Sequence, residues 1–214
     1  MKIFFDFISS NSSLIIQETI NHIGLVGISV FWGFIISVPL GIILSRHKKI
    51  AKYVLAFVGT LQTIPGLVML GFAMILFGIG KPPALAVLTL YAILPTLRNT
   101  YTGLTEVDAG CIESAKGIGM SRIQILFKVE LPLALPSIVS GFRMSTIYII
   151  NWATLAGLVG AGGLGDLIWT GLATYENNFI LIGALLAAVM AMLFGAIIGG
   201  VQNIMTPRGL NVGR

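Results

Sequence analysis

The chain has 214 residues, of which 56% are hydrophobic and only 10% are charged, and its mean hydropathy is +0.96. Soluble domains carry about 25% charged residues, so this composition excludes a soluble globular protein and predicts an integral membrane protein. The formal net charge of +5 is better explained by orientation in a membrane than by nucleic-acid binding. One cysteine, Cys111, excludes an internal disulfide framework.

Apolar segments, taken in chain order, predict an all-α fold with five transmembrane helices. Residues 1–20 are mixed in character and predict a short amphipathic lead-in at the interface. The length of the first span suits a hydrocarbon core of about 30 Å. We place the five spans at about residues 24–45, 53–78, 84–97, 133–159 and 179–201. The whole chain, 1–214, is interpreted as one transmembrane domain.

A polar pair followed by Pro-Gly interrupts the second span. Gln62, Thr63, Pro65 and Gly66 break the helical hydrogen-bond ladder. Irregular backbone at membrane depth persists only where it is buried in protein or lines a cavity. We therefore expect this stretch to face the interior of the bundle, where Gln62, Thr63 and Pro65 either line a translocation path or stabilise a kink.

The fourth span also contains polar and aromatic residues. Asn151 and Trp152 lie near its middle and could line a path; packing between helices is the alternative. Arg143 lies nearer the cytoplasmic end, where it could reach the interface or form a gate or an interhelical ion pair. Residues 161–178 are glycine-rich and lightly charged, which predicts an exposed loop with a short interfacial helix.

Residues 105–132, here called the charged island, lie between the third and fourth spans. The island is too charged to enter a bilayer, and we predict two short amphipathic helices outside the membrane. Thr105 with Asp108, and Ser121 with Gln124, have capping-box spacing. Such order in an extramembrane segment predicts a docking surface for another protein.

The ends and the apolar face of the island helices can also be predicted. Gly117 and Gly119 should end the first helix. Pro132 should end the second, because the residue before a proline is displaced from the helical region. The apolar face of the first helix is expected to consist of Val107, Cys111, Ala115 and Ile118.

The distribution of basic residues predicts an outside N-terminus and a cytoplasmic C-terminus. If the basic loop 46–52 and the charged island are cytoplasmic, ten lysines and arginines lie on that side and two lie outside. The ten are Arg46, Lys48, Lys49, Lys52, Arg98, Lys116, Arg122, Lys128, Arg208 and Arg214, and the two are Lys2 and Lys81. This asymmetry supports the count of five spans.

The chain lacks the motifs of an energy source. It has no Walker A pattern, and no acid lies within a predicted span, whereas proton-coupled carriers rely on intramembrane ionisable residues. We therefore predict no enzymatic site, cofactor or metal on this chain, and a partner that drives any transport. An ion-coupled secondary transporter is the alternative from a different class. A DNA-binding helix pair is disfavoured, because the island has four acids against three bases.

The charged island resembles the EAA loop of ABC-importer permeases. That pattern is EAA, three residues, Gly, nine residues and I-x-L-P, and it is matched by Glu113, Ser114, Ala115, Gly119, Val129, Leu131 and Pro132. Ser114 departs from alanine and Val129 from isoleucine. LQTIPGLVMLGF and RMSTIYIINWATLAGLVGAGGLGD are similar to permeases of importers for glycine betaine, carnitine and choline. Methionine-type permeases share the island and the five-span plan, so methionine or another small solute remains open.

The resemblance implies a permease that forms half of a pore in the cell membrane of a prokaryote. Its implied partners are a second permease (identical or paralogous), an ATPase dimer carrying ATP and magnesium, a separate extracytoplasmic binding protein and membrane lipid, with no nucleic acid. The implied ATPase-coupling residues are Glu113, Ser114, Ala115, Gly117, Gly119, Leu131 and Pro132. Glu113 is expected to contact the ATPase, although the helix dipole alone could favour a carboxylate there.

Overall fold

The computed structural model describes residues 2–205, and its first half contains five helices. These are α1 (Lys2–Ser10), α2 (Ser12–Arg46), α3 (Lys48–Thr63), α4 (Gly66–Phe77) and α5 (Lys81–Thr105). The lead-in predicted for residues 1–20 is divided between α1 and the first turns of α2. α2 starts this early because Ile15, Glu18 and His22 lie on one helical face and are buried.

The second half begins with the charged island and ends with a long helix. In order it contains α6 (Ala109–Gly117), α7 (Arg122–Ile125), a π-helical turn (Leu126–Glu130), α8 (Leu131–Ala153), a 3-10 helix (Thr154–Val159), α9 (Leu164–Thr174) and α10 (Asn177–Met205). No residue between 2 and 205 lies in a β-strand. The predicted all-α class is confirmed for this part of the chain.

Three helical stretches are long and apolar enough to cross a membrane: Ser12–Arg46, Arg122–Val159 and Asn177–Met205. α3 and α4 meet the same criteria together, but they are bent by 94°. α5 is not among these candidates. It packs against α2 and α8 with buried residues along its length. Because little of its surface is left to contact lipid, little of that surface needs to be apolar. The residues described thus contain three candidate spans, or four with the bent pair.

The core lies where α2, α5 and α8 pack against each other and against α9 and α10. Leu88 of α5, Ile149 of α8 and Leu164 of α9 are almost completely buried there. Small residues let the backbones approach closely. A Cβ on Gly33 of α2 would lie only 2.6 Å from Cβ of Ala92. α5 therefore lies as close to α2 as the side chains at this contact allow.

The prediction of an exposed loop at residues 161–178 is wrong. Leu164 and Leu167 of α9 are buried, and α9 packs against α10, α2 and the 3-10 helix. A Cβ on Gly165 would lie 1.9 Å from the carbonyl oxygen of Thr154, so backbone contacts backbone here. Leu164, Leu167 and Ile168 recur at helical spacing, but the glycines around them favour a loop in a sequence-based prediction.

Candidate functional site

The first helix of the charged island is capped by Asp108. Its Oδ1 accepts a hydrogen bond from the N–H of Cys111 at 3.2 Å. The capping box predicted for Thr105 is wrong, because Thr105 ends α5 and its hydroxyl donates to the carbonyl of Tyr101. Of the apolar face predicted for this helix, Ala115 is buried but Cys111 is exposed.

The predicted glycine turn after α6 is confirmed. α6 ends at Gly117, and Gly119 has a φ of +83°, which a glycine adopts without steric cost. The N–H of Met120 donates to the carbonyl of Ala115 at 3.1 Å, and the N–H of Gly119 donates to that of Lys116 at 2.9 Å. These two bonds form a Schellman motif, which fixes the direction in which the chain leaves α6.

The predicted capping box of α7 is also confirmed. The N–H of Gln124 donates to Oγ of Ser121 at 3.3 Å, and the N–H of Ser121 donates to Oε1 of Gln124 at 2.8 Å. Ile125, at the end of this short helix, is buried. The reciprocal cap and this one buried side chain hold α7 against the rest of the protein.

Pro132 does not end the second island helix, contrary to prediction. α7 runs through the π-helical turn into α8, and Pro132 is the second residue of α8. The N–H of Leu131 donates to the carbonyl of Leu126, five residues back, which is the spacing of a π-helical turn. Pro132 has no N–H to satisfy, so it is tolerated where the hydrogen-bond spacing changes. The second helix of the charged island is therefore continuous with α8.

The outward side of the island combines charge with exposed apolar surface. Glu113 and Ser114 are exposed, and among the described residues Glu113 makes no ion pair or hydrogen bond. Ile118, Ile123 and Phe127 are 80%, 70% and 63% exposed. Ile118 was expected on a packed face, and the other two were not predicted. Three large apolar side chains exposed within one charged segment indicate a surface that another protein covers.

An ion pair joins the charged island to α2. Glu130 is only 3% exposed, and Arg46 at the end of α2 donates to both of its carboxylate oxygens, with Nη1–Oε1 at 2.8 Å. Beside it, Leu131 packs on a small cluster that includes buried Leu104. Sequence reasoning missed this pair, because 84 positions separate its members. Residues 46–52 do not form the predicted loop, because α2 ends at Arg46 and α3 begins at Lys48. The contact places this basic segment and the charged island at one end of the bundle.

The predicted break in the second span is confirmed. α3 ends at Thr63, α4 begins at Gly66, and the two helices are bent by 94°. The Tyr91 hydroxyl donates to the carbonyl of Ile64 at 2.7 Å, and Nε2 of Gln62 donates to the carbonyl of Tyr91 at 2.8 Å. Backbone freed by the break is therefore satisfied by protein groups.

Two of the predicted path residues, Gln62 and Trp152, meet in a pocket of about 120 Å³ that Tyr91 and Tyr148 complete. The rings of Tyr91 and Trp152 are stacked, with centroids 5.0 Å apart and planes 7° from parallel. A Cβ on Gly66 would lie 1.9 Å from the Trp152 ring, so α4 begins directly against it. Tyr148 was missed, although its position four residues before Trp152 puts both on one helical face.

The other predicted path residues lie outside this pocket. Thr63, Pro65 and Asn151 are exposed. The Thr63 hydroxyl donates to the carbonyl of Thr60 at 2.7 Å, and the Asn151 amide donates to that of Ile147 at 2.9 Å. Both polar side chains therefore bond to their own helices, while their exposed sides remain available to solvent or a partner.

Arg143 lies half-buried on α8 and packs against α10. A Cβ on Gly199 would lie 3.1 Å from its Cζ, and its Nε has no hydrogen-bond partner among the described residues. Within that part of the chain it forms no ion pair. The interhelical ion pair that we considered is therefore not observed there, and Arg143 instead contacts the glycine surface of α10.

Buried polar residues also occur at the opposite end of the bundle, where Glu18 and His22 of α2 bind the turn before α9. Oε2 of Glu18 accepts from the N–H of Gly163 at 2.5 Å. Nδ1 of His22 accepts from the N–H of Leu164 at 3.3 Å, and its Nε2 lies 3.1 Å from the carbonyl oxygen of Ile150. Glu18 precedes the first span as predicted at residues 24–45, but it belongs to the same helix, because α2 begins at Ser12.

Neither acidic residue near α9 is part of a metal site. Asp166 is half-buried at the start of α9, and Glu176 accepts from the amide of Asn178 at 3.0 Å. Among the described residues, no three His, Cys, Asp or Glu side chains come together as a candidate metal site.

The comparisons with known proteins identify the family. A family model described as the inner membrane component of binding-protein-dependent transport systems matches residues 37–209. The chain belongs to this family. Membership confirms the resemblance seen in the EAA-like spacing of the charged island and makes the protein a multi-pass component of the inner membrane.

Several relatives in this family match the chain over almost its full length. The glycine betaine/carnitine/choline transport system permease protein OpuCB of Bacillus subtilis is 43% identical over 204 residues, which are 95% of this chain and 94% of the relative. The choline transport system permease protein OpuBB of the same organism is 42% identical with the same coverage. A carnitine transport permease protein of Listeria monocytogenes is 38% identical, covering 97% of this chain and 95% of its own.

The fold is shared with a solved transporter. An inward-facing structure of the MetNI methionine ABC transporter has a chain that superposes with a TM-score of 0.82 at 26% identity. The match covers 92% of this chain and 99% of that chain. The arrangement of α2, the bent pair, α5, α8 and α10 is therefore the permease fold of an ABC transporter.

Proposed function

We propose that the chain is the permease subunit of an ATP-driven importer for quaternary-ammonium osmoprotectants, namely glycine betaine, carnitine and choline. The observation that carries the proposal is 43% identity to a glycine betaine/carnitine/choline permease over 95% of the chain. The whole chain, 1–214, acts as one transmembrane domain and contributes half of the pore. A second permease, identical or paralogous, contributes the other half.

The proposed topology has five spans, with the N-terminus outside and the C-terminus in the cytoplasm. The bent pair counts as one span and α5 as another. The Arg46–Glu130 contact supports a common cytoplasmic end for the basic segment 46–52 and the charged island. At the opposite end, Nζ of Lys81 donates to Oδ1 of Asn21 at 3.3 Å, as expected if Lys81 is one of the few outside cations.

The charged island is proposed to sit in a cleft of the ATPase, which holds the ATP and magnesium. Ile118, Ile123 and Phe127 supply apolar contact, and Glu113 supplies a polar contact. The remaining coupling residues act through packing, the turn or helix continuity, and they are Ser114, Ala115, Gly117, Gly119, Leu131 and Pro132. Closure of the ATPase dimer then moves α7 and α8 together, because these two helices are joined through the π-helical turn without a break, and α6 follows through the turn at Gly119.

The translocation path is proposed to follow the exposed side of α8 and the break between α3 and α4. Gln62 and Trp152 line it at the pocket, and Thr63, Pro65 and Asn151 line it nearby. Arg143 is assigned to packing at the edge of the path, since its guanidinium contacts α10. A loaded extracytoplasmic binding protein delivers the solute to the outward-open pore.

The decisive experiment reconstitutes the permease with its ATPase and binding protein in liposomes. We expect ATP-dependent uptake of labelled glycine betaine, carnitine or choline. Uptake of methionine alone would replace the substrate proposal with the one suggested by the shared fold. Uptake driven by an ion gradient in the absence of ATP would overturn the proposal as a whole.

A charge reversal tests the coupling role of Glu113. In the Glu113→Lys variant we expect ATP-driven uptake to fall by at least about tenfold, a loss of about 1.4 kcal/mol of coupling, with ATP hydrolysis lost or no longer linked to uptake. Glu106→Lys is the matched control, because it makes the same change at an exposed acid before α6. Equal uptake by the two variants would reduce Glu113 to a helix-end charge.

A further inference from the structure

The aromatic pocket at the break has an unusual lining for a small cavity in a membrane bundle. It encloses about 120 Å³ between Gln62, Tyr91, Tyr148 and Trp152. Three of these side chains are aromatic, the fourth is an uncharged amide, and none of the described residues that line the pocket is charged. Neither a carboxylate nor a primary ammonium group would find an ionic partner there.

The pocket is assembled from three helices, and contacts hold Gln62, Tyr91 and Trp152 in place. Tyr91 is held by its stack on Trp152 at 5.0 Å, and its hydroxyl bonds to the carbonyl of Ile64 at 2.7 Å. Gln62 is held by its bond to the Tyr91 carbonyl at 2.8 Å. Gly66 lies against the Trp152 ring. The rings therefore need little reordering to receive a ligand, which lowers the cost of binding.

The pocket lies on a side of α8 that differs from its lipid-like side. Phe142 and Thr146 of α8 face a groove of about 740 Å³ lined almost entirely by apolar side chains. Asn151 lies nine positions after Phe142, which is about two and a half helical turns, so it points the opposite way. Asn151 is exposed, and Tyr148 on the same side is 48% exposed. Exposed amide and hydroxyl groups require water or protein partners rather than hydrocarbon.

We propose that Tyr91, Tyr148 and Trp152 form a transit site for the quaternary ammonium group of the solute, which rests on the function proposed above. A quaternary ammonium has no N–H to donate, so hydrogen bonding cannot hold it, whereas aromatic ring faces attract it through their quadrupole. The absence of a carboxylate among the lining residues makes the site weak. Weak binding suits a transport path, since a solute must leave the site as readily as it enters.

The site is tested directly on the permease–ATPase complex in lipid nanodiscs, without the binding protein. Saturation-transfer NMR would compare choline with 3,3-dimethylbutan-1-ol, its neutral analogue with carbon in place of nitrogen. We expect the choline methyl signal to saturate at about tenfold lower concentration than the signal of the analogue. Equal signals from the two compounds would overturn the proposal, and this comparison needs no variant that must fold.

Variants of Tyr148 separate the ring from the hydroxyl. Tyr148→Phe keeps the ring, and we expect choline binding and uptake within about twofold of the unaltered complex. Tyr148→Leu removes the ring, and we expect both to fall about tenfold. Tyr53→Leu is the matched control, because it removes an exposed tyrosine ring of α3 that is absent from the pocket, and we expect no change.

The outcomes distinguish this site from the function on which it rests. If the complex imports choline or glycine betaine but Tyr148→Leu behaves like Tyr148→Phe, the transit site is wrong and the proposed function stands. If the complex imports methionine alone, the substrate class itself is wrong. If only the binding protein discriminates choline from its neutral analogue, the pocket is a packing feature.

Discussion

The two ends of the bundle each bury a carboxylate, and they satisfy it in different ways. At the charged island, Glu130 is held by the guanidinium of Arg46 from another helix. At the opposite end, Glu18 accepts from the backbone N–H of Gly163 and lies 3.4 Å from the amide nitrogen of Asn21. The first arrangement needs one particular side chain, whereas the second depends on the conformation of a glycine turn. Charge thus ties the island to α2, and backbone proximity holds the other end.

The largest effect is expected from breaking the backbone contact at the far end. In Gly165→Ala the new methyl group would meet the carbonyl of Thr154 at 1.9 Å, and neither backbone can move without displacing α9. We expect a loss of about 3 kcal/mol or more in stability, measured by thermal unfolding of the purified complex. Gly200→Ala is the control, because no atom lies within 4 Å of its new methyl group. Similar melting temperatures for the two variants would contradict the close contact.

An intermediate effect is expected from breaking the ion pair. Arg46→Ala leaves the buried carboxylate of Glu130 without a cation, and we expect a loss of about 2 kcal/mol. This is less than for a fully buried pair, because the Arg46 side chain is 46% exposed. Lys48→Ala removes a neighbouring exposed cation and should leave the unfolding temperature unchanged. If both variants unfolded alike, Glu130 would not depend on Arg46.

The smallest effect is expected from neutralising the far carboxylate. Glu18→Gln keeps the size and an acceptor oxygen but loses the charge, and we expect a cost of about 1 kcal/mol. Burial raises the pKa of Asp166, and the nearby Glu18 carboxylate raises it further. Because this pKa is higher in the folded state, ionised Asp166 destabilises the fold, and the penalty is relieved as the pH falls.

The pH dependence gives this last prediction its measurement. With Gln at position 18, the pKa of Asp166 should move back toward its ordinary value of 3.8. The stability gained on acidification from neutral pH should therefore shrink. Glu106→Gln, at an exposed acid of the island, should leave the slope unchanged. An identical slope in the Glu18→Gln variant would show that the two carboxylates do not interact.

The parts of the structure that could be predicted depend on signals within a few residues. Three predicted features arise from local backbone chemistry, and all three are present. They are the capping box of Ser121 with Gln124, the turn at Gly119 and the break at Pro65. The charged island could be recognised because its charges cannot enter a bilayer. Helix boundaries were predicted less well than these local features. The helix that begins at Ser12, for example, includes polar residues that are satisfied only by tertiary contacts.

The parts that could not be predicted depend on contacts between distant segments. No sequence spacing indicates that Tyr91 stacks on Trp152 or that Arg46 pairs with Glu130, because the partners are far apart in the chain. α9 is buried partly through glycine backbone contacts, and its glycines favour a loop in a sequence-based prediction. The prediction that a helix ends at Pro132 failed for another reason. The proline rule assumes α-helical hydrogen-bond spacing, and the π-helical turn changes that spacing. Of the residues now proposed to line the docking surface and the aromatic pocket, Ile123, Phe127 and Tyr148 were not predicted from the sequence.

The π-helical turn at Leu126–Glu130 also sets the rotation about the helix axis between the residues before it and α8. Each residue advances an α-helix by about 100°, and a π-helical turn contains one residue more than an α turn. Since Ile149 and Ala153 fix α8 in the core, deleting one residue from this turn would rotate the island instead, by more than a quarter turn. Ile123 would then point away from its present direction. The extra residue thus sets the phase between the surface proposed to meet the ATPase and the face that lines the aromatic pocket.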